Sequence, residues 1–329
     1  MFLDAAVLVV APHPDHAGTV LPSDGMACPC DAFITTMPEL CLLTVHAHPD
    51  DEASKGAGSV ALYAAEGVRT VLVTCTDGAA GDILNPAADE PATREDLRAV
   101  RLAELEESVR VLGYSRLHLL GYRDSGMAGS DDNTHPESFA AAPIDEAVGR
   151  LVAIIRSERP QVILTYGDDH RGYPHPDHIR VHEISVAAFE AAGDPDRFPE
   201  AGAPWQPLKL YYTGWSRARL EALHGAFLAR AEESPYTEWL ARRRPDDEEM
   251  PITTRVDVGD HLTARRAALL AHRTQIDPEG FWMRLPLDVE REVFPWEEYH
   301  LARSLVDTGV PAGSWEDDLF AGLRESARH

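Results

Sequence analysis

The sequence predicts an α/β fold, a mostly parallel sheet with helices on both faces. Three observations predict it. From residue 41, short apolar runs alternate with stretches of helical spacing, the rhythm of βαβ units. The apolar runs are nearly continuous, as strands covered on both faces require. The helical stretches stop at Gly113, Pro160 and Gly193, residues that end helices.

Taken in order, CLLTVHA (41–47) reads as a strand and SKGAGSVALYAAEG (54–67) as a helix. VRTVLVTCT (68–76), rich in β-branched residues, is the next strand. A polar loop with Gly and Pro (77–92) leads to TREDLRAVRLAELEESVRVLG (93–113), a helix expected to open on a Thr cap and early acids. RLHLLGY (116–122) and QVILTYG (161–167) are strands; IDEAVGRLVAIIRSE (144–158) and DHIRVHEISVAAFEAAG (177–193) are helices. Beyond about residue 205 the rhythm weakens. PLKLYYTGW (207–215) is expected as an added edge strand, and 217–231, 234–243 and 260–275 as helices of a cap on the same domain. AVLVVAPHPDHAGT (6–19) repeats a strand followed by His-Pro-Asp, but no helical period follows it. Residues 1–38 are therefore expected to be a non-catalytic extension, 39–322 a single domain and 323–329 a tail.

Asp and Glu number 55 against 30 Lys and Arg, a formal charge of −25, which argues against nucleic-acid or anionic-membrane partners. No apolar run reaches the roughly 18 residues of a membrane span. The opening MFLDAAVLVVA has no Lys or Arg and makes a poor signal peptide, so a cytoplasmic protein is expected. Cys41 and Cys75 fall in buried strands and Cys28 and Cys30 form a lone C-P-C, so the four are read as structural or incidental.

The chemistry concentrates in HPDDE (48–52) and GYPHPDH (172–178), each following a strand. His48 and Asp51 are three residues apart, as are His175 and His178, a spacing that shares one face in a first helical turn. Two such loops on neighbouring strands would offer N and O ligands to one metal and leave a position for water, as catalytic zinc requires. A metal acidifies its water but does not remove the proton. The adjacent acids Asp50 and Asp51 can divide the work, one holding the metal and the other accepting the proton.

AHPDDE (47–52) with HPDH (175–178) resembles the PIG-L/LmbE-like zinc-dependent N-deacetylases, over about residues 41–322. The resemblance implies a Rossmann-like catalytic domain and an enzyme hydrolysing amides on glucosamine with Zn2+, or Fe2+ or another divalent metal. It implies His48, Asp51 and His178 as metal ligands and Asp50 as general base. His175 would act at the leaving amine, Asp177 would orient an imidazole, and Tyr173 would face the oxyanion. GDILNPA (81–87), SPYTEWL (234–240) and AHRTQIDPEG (271–280) resemble the mycothiol branch of the family. That branch implies a small-molecule substrate, a mycothiol S-conjugate, or alternatively N-acetylglucosaminyl-inositol or another N-acetyl amino sugar. Lys55, Arg101 and Asp124 would be its substrate contacts. A metal-bearing binding protein without turnover is the reading of another class, and it has no use for a base beside a metal.

Overall fold

The computed structural model describes residues 7–9, 39–168, 173–242, 249–311 and 313–324. Among them eight strands form one sheet: β1 (Val7–Val9), β2 (Cys41–His46), β3 (Arg69–Thr76), β4 (Arg116–Tyr122), β5 (Val162–Tyr166), β6 (Lys209–Gly214), β7 (Thr254–Asp257) and β8 (Trp296–Ser304). Their order is β1-β4-β3-β2-β5-β6-β8-β7. The run from β4 to β6 is parallel, whereas β1, β8 and β7 join antiparallel at the two margins. In chain order the parallel strands run third, second, first, fourth, fifth, as in a doubly wound sheet. The connections reverse between β2 and β5, and such a reversal opens a crevice beyond the carboxyl ends of those strands. HPDDE follows β2 and HPDH follows β5, so both stretches meet at that crevice.

The helices are α1 (Asp51–Ser54), α2 (Ala57–Ala65), α3 (Pro91–Glu95), α4 (Leu97–Leu112), α5 (Ile144–Glu158), α6 (Pro176–Ala191), α7 (Arg217–Ala229), α8 (Thr237–Arg242), α9 (Leu262–Ala271), α10 (Phe281–Arg284) and α11 (Leu287–Val293). Alternate strand residues supply the two cores. Cys41, Leu43 and Val45 pack with Leu151 of α5 and Ile184 of α6 on one face. Leu42, Leu72 and Leu164 pack with Val60 of α2, Leu105 of α4 and Leu269 of α9 on the other. Each fully buried aliphatic side chain contributes about 1.5–3 kcal/mol, which fixes the strand ends that carry the site. Cys41 and Cys75 are buried free thiols within this core.

Several expectations are corrected. The 207–215 strand is β6, and it is interior, with β8 and then β7 outside it. The 54–67 helix is α2 and begins only at Ala57, with Ser54 ending α1; Gly56 separates them, its φ of +93° and close approach to Leu164 leaving no place for a Cβ. The 93–113 helix is α3 and α4, broken at Asp96; Asp96, not Thr93, caps α4 by accepting the Ala99 N–H at 3.1 Å. The last cap helix stops at Ala271. Leu323, expected in the tail, is buried in the second core. Of the N-terminal stretch only Val7–Val9 is described, paired with β4; its His-Pro-Asp at 13–15 and Cys28 and Cys30 lie outside the described residues.

Candidate metal centre

The two strand ends aim their side chains by similar means. After β2, Asp50 precedes α1 with φ 124°, a backbone conformation that non-glycine residues rarely adopt, and Asp51 begins the helix. After β5, Pro176 opens α6, and the His175 Nδ1 accepts the Asp177 N–H at 3.2 Å as its cap. Asp177 and His178 therefore fall in a first helical turn facing the crevice.

The ligand atoms of His48, Asp51 and His178 all lie within 4.8 Å of one another, and the three residues are buried. His48 Nδ1 and His178 Nε2 each stand 3.4 Å from Asp51 Oδ2. That separation is long for a hydrogen bond. It suits a shared ion, since N and O ligands about 2.1 Å from a tetrahedral metal stand about 3.4 Å apart. The opposite ring nitrogen, His48 Nε2, lies 3.2 Å from Asp177 Oδ2. A carboxylate only accepts, so Nε2 carries the proton and Nδ1 presents its lone pair toward Asp51 and His178. Asp177 is itself fixed by the Ser125 N–H at 3.0 Å and the Ser125 hydroxyl at 2.5 Å.

A second group, His48, Asp124, His175 and Asp177, also has the spacing of a metal site. Its carboxylates are already engaged. Asp177 holds Ser125 and His48, and Asp124 Oδ1 accepts the Gly126 N–H at 2.9 Å. Asp51 is engaged as well, by Lys55 and by the His48 N–H at 3.0 Å, so it is the 3.4 Å spacing of His48 Nδ1 and His178 Nε2 about Asp51 Oδ2 that fits a divalent metal in the first group.

Charge separates the two adjacent acids. Burial would raise Asp51, but Lys55 and His178 outweigh it and hold its carboxyl well below the ordinary range. Burial raises Asp50 above the ordinary range despite the nearby Arg101. Neighbouring carboxyls pushed in opposite directions are suited to different roles. Burial would lower His48, yet the carboxylates of Asp124, Asp177 and Asp51 around it raise it well above its ordinary value, so this cluster calls for positive charge. Burial pushes His178 down to about 4, keeping it neutral and free to ligate.

The remaining expected residues line the same cavity, which is about 340 Å³. The Tyr173 ring is half exposed at its mouth, stacked 5.8 Å from His175 and edge-on 5.1 Å from His178. Burial lowers the His175 pKa, assisted by His48. The Lys55 ammonium pairs with Asp51 Oδ1. Arg101, expected to contact substrate, lines the cavity and also ties its loops together: it donates to the Pro49 carbonyl at 2.5 Å, the Gly78 carbonyl at 2.8 Å and Asp50 Oδ2 at 3.0 Å. Asp124 stands 3.6 Å from His48 Nε2.

Sequence reasoning missed four supports, Tyr166, Glu52, His272 and Ser108. Tyr166 stacks on His178 at 4.6 Å and accepts the Ala47 N–H at 3.0 Å. Glu52 Oε2 accepts the Asp50 N–H at 3.0 Å, and Glu52 Oε1 meets His272 and Ser108, each at 2.5 Å. Glu52 stood inside a motif already singled out, but nothing local pairs it with His272.

Known proteins resemble this chain closely. A model of the PIG-L family, described as GlcNAc-PI de-N-acetylase, matches residues 43–189. The mycothiol S-conjugate amidase of Streptomyces coelicolor is 49% identical over 88% of this chain and 99% of its own length. The 1D-myo-inositol 2-acetamido-2-deoxy-alpha-D-glucopyranoside deacetylase of Streptomyces avermitilis is 40% identical over 87% of this chain and 98% of its own. In fold, the N,N'-diacetylchitobiose deacetylase of Pyrococcus horikoshii superposes with TM-score 0.56 at 19% identity, covering 80% of this chain and 84% of that one.

Proposed function

The chain belongs to the PIG-L family, and on that premise we propose that it is a zinc-dependent amidase acting on mycothiol S-conjugates. Water would cleave the amide between the glucosamine nitrogen and the cysteinyl carbonyl, giving glucosaminyl-inositol and an N-acetylcysteine S-conjugate. The observation that carries the chemistry is the convergence of His48, Asp51 and His178 with Asp50 left beside them, outside the ligand set. The higher identity to the amidase than to the deacetylase supports the larger substrate.

His48, Asp51 and His178 would hold the metal, which when bound acidifies a water and polarises the amide carbonyl. Asp50, steadied by Arg101, takes the proton of the attacking water. Tyr173 at the cavity mouth donates its hydroxyl to the oxyanion, a preorganised contact of the kind typically worth about 3–4 kcal/mol. His175, or Asp50 once protonated, returns a proton to the departing nitrogen. Asp177 keeps His48 in the ligating tautomer. Lys55 and Asp124 line the cavity as contacts for the conjugate. Ferrous iron suits the same donors, and zinc is the proposed choice.

No helix among the described residues is long and apolar enough to cross a membrane. The buried free thiols of Cys41 and Cys75 fit a reducing compartment, and we place the activity in the cytoplasm. The test is turnover of a mycothiol S-conjugate against N-acetylglucosaminyl-inositol by the zinc-loaded protein, following amine release. Faster release from the conjugate supports the amidase. Release from the acetylated sugar alone would make the protein a deacetylase.

A further inference from the structure

The catalytic cavity has two chemically different sides. One carries the metal centre and its acids. The other carries Leu84, Leu269, Ile276 and Trp282. Leu269 and Ile276 are buried and offer little surface of their own. Leu84 is pinned by its N–H to the Thr274 carbonyl at 2.8 Å, beside the segment that runs from α9 to α10. Leu84 is 61% exposed and lines the cavity.

Trp282 also lines a second, smaller hollow, together with Trp215 and Phe281 and with the charged Arg219, Arg265 and Glu290. The Phe281 ring lies 4.6 Å from Trp282, and Trp215 meets it edge-on at 6.0 Å. Trp239 continues the cluster 6.3 Å from Trp215 and is half exposed. The catalytic steps above use none of these rings. They form an aromatic shelf continuous with the reaction cavity through Trp282 alone.

We infer that Trp282, with Leu84 and the rings behind it, is the subsite for the group carried on sulfur, and that the chain selects aromatic or bulky apolar S-substituents. This inference rests on the amidase reading. In such a conjugate the sugar and inositol are polyols and the scissile amide must sit at the metal. The sulfur substituent is the part whose chemistry varies, and it is the part able to be apolar. An aromatic substituent gains both burial and edge-to-face contact on this shelf. A methyl group offers little apolar area to bury there.

The test compares S-methyl, S-benzyl and S-carboxymethyl conjugates with the zinc-loaded protein. S-benzyl should exceed S-methyl in kcat/KM on the order of 10–100-fold, expressed mainly in KM. S-carboxymethyl should gain nothing over S-methyl. Trp282→Ala should collapse the benzyl-to-methyl ratio to within about threefold, and the surface change Leu84→Ser, which leaves the core untouched, should reduce it in the same direction. Binding offers a readout apart from turnover: N-acetyl-S-benzylcysteine should quench tryptophan fluorescence in the wild type and fail to do so in Trp282→Ala. A ratio near one in the wild type, or one unmoved by both substitutions, overturns the subsite while leaving the amidase intact. Deacetylation of N-acetylglucosaminyl-inositol with no turnover of any conjugate overturns the amidase reading first and the subsite with it.

Discussion

His272 Nε2 lies 2.5 Å from Glu52 Oε1, with both side chains wholly buried, and so ties the C-terminal half of the chain to the loop that carries Asp50. Glu52 in turn accepts the Asp50 N–H, holding that residue in its unfavourable backbone conformation.

This pair gives stability a pH dependence. Burial would lower His272, but Glu52 outweighs it and raises the imidazole above 6.5, so this contribution is complete below 6.5 and is lost as pH rises through the folded value. Burial would raise Glu52, yet His272 and then Ser108 hold it below 4.5, so its contribution is complete above 4.5 and is lost as pH falls through the folded value. The pair therefore stabilises most between about 4.5 and 6.5. His272→Ala should cost about 3–5 kcal/mol near pH 6, by leaving a buried carboxylate short of its partner. Urea unfolding at pH 6 and pH 9 should show that deficit shrinking at the higher pH. A deficit that stays constant would mean His272 acts by packing alone.

Asp50→Asn should retain zinc, because the proposed ligands His48, Asp51 and His178 are unchanged, while kcat falls on the order of 10²–10⁴-fold. Metal content by atomic emission and turnover on the same sample check it together. Full turnover in this variant would remove Asp50 from the role of base.

The parallel strands β2 to β6 were legible because strands buried on both faces leave continuous apolar runs. The two stretches that meet at the candidate metal centre were legible because both lie at strand ends and repeat His-Pro-Asp. β8 was not legible, since WEEYHLARS reads as polar. Its Glu297 is buried by accepting the Gly58 and Ser59 N–H groups at the start of α2, and its Glu298 by accepting from Arg255 and Ser216. Partners that far along the chain neutralise the charges, and no local pattern records them. The clamp made by Arg101 was hidden for the same reason: a mid-helix arginine gives no sign that it will hold two loop carbonyls and a carboxylate.

Asp177→Asn should weaken metal binding about 10–100-fold, because His48 loses the charged acceptor that raises its basicity. Competition with a chelating dye measures this without turnover. Affinity equal to that of the wild type would show that Asp177 has no part in preparing His48.

Arg101→Met should move the acid limb of kcat/KM upward by about one pH unit or more. Burial already raises Asp50, and Arg101 is the first influence opposing that rise. The base must be ionised, so activity falls as pH drops through its pKa, and a higher pKa brings that fall at higher pH. The substitution keeps the length of the side chain but leaves the Pro49 and Gly78 carbonyls without their donor, so some stability is lost as well. Arg101→Lys separates the two effects: it restores a positive charge beside Asp50 without the fork that reaches both carbonyls. The acid limb should return toward the wild-type position in Lys while the lost stability does not. Coincident limbs in the wild type and Arg101→Met would mean that Arg101 positions the loop and leaves the acidity of Asp50 to its burial.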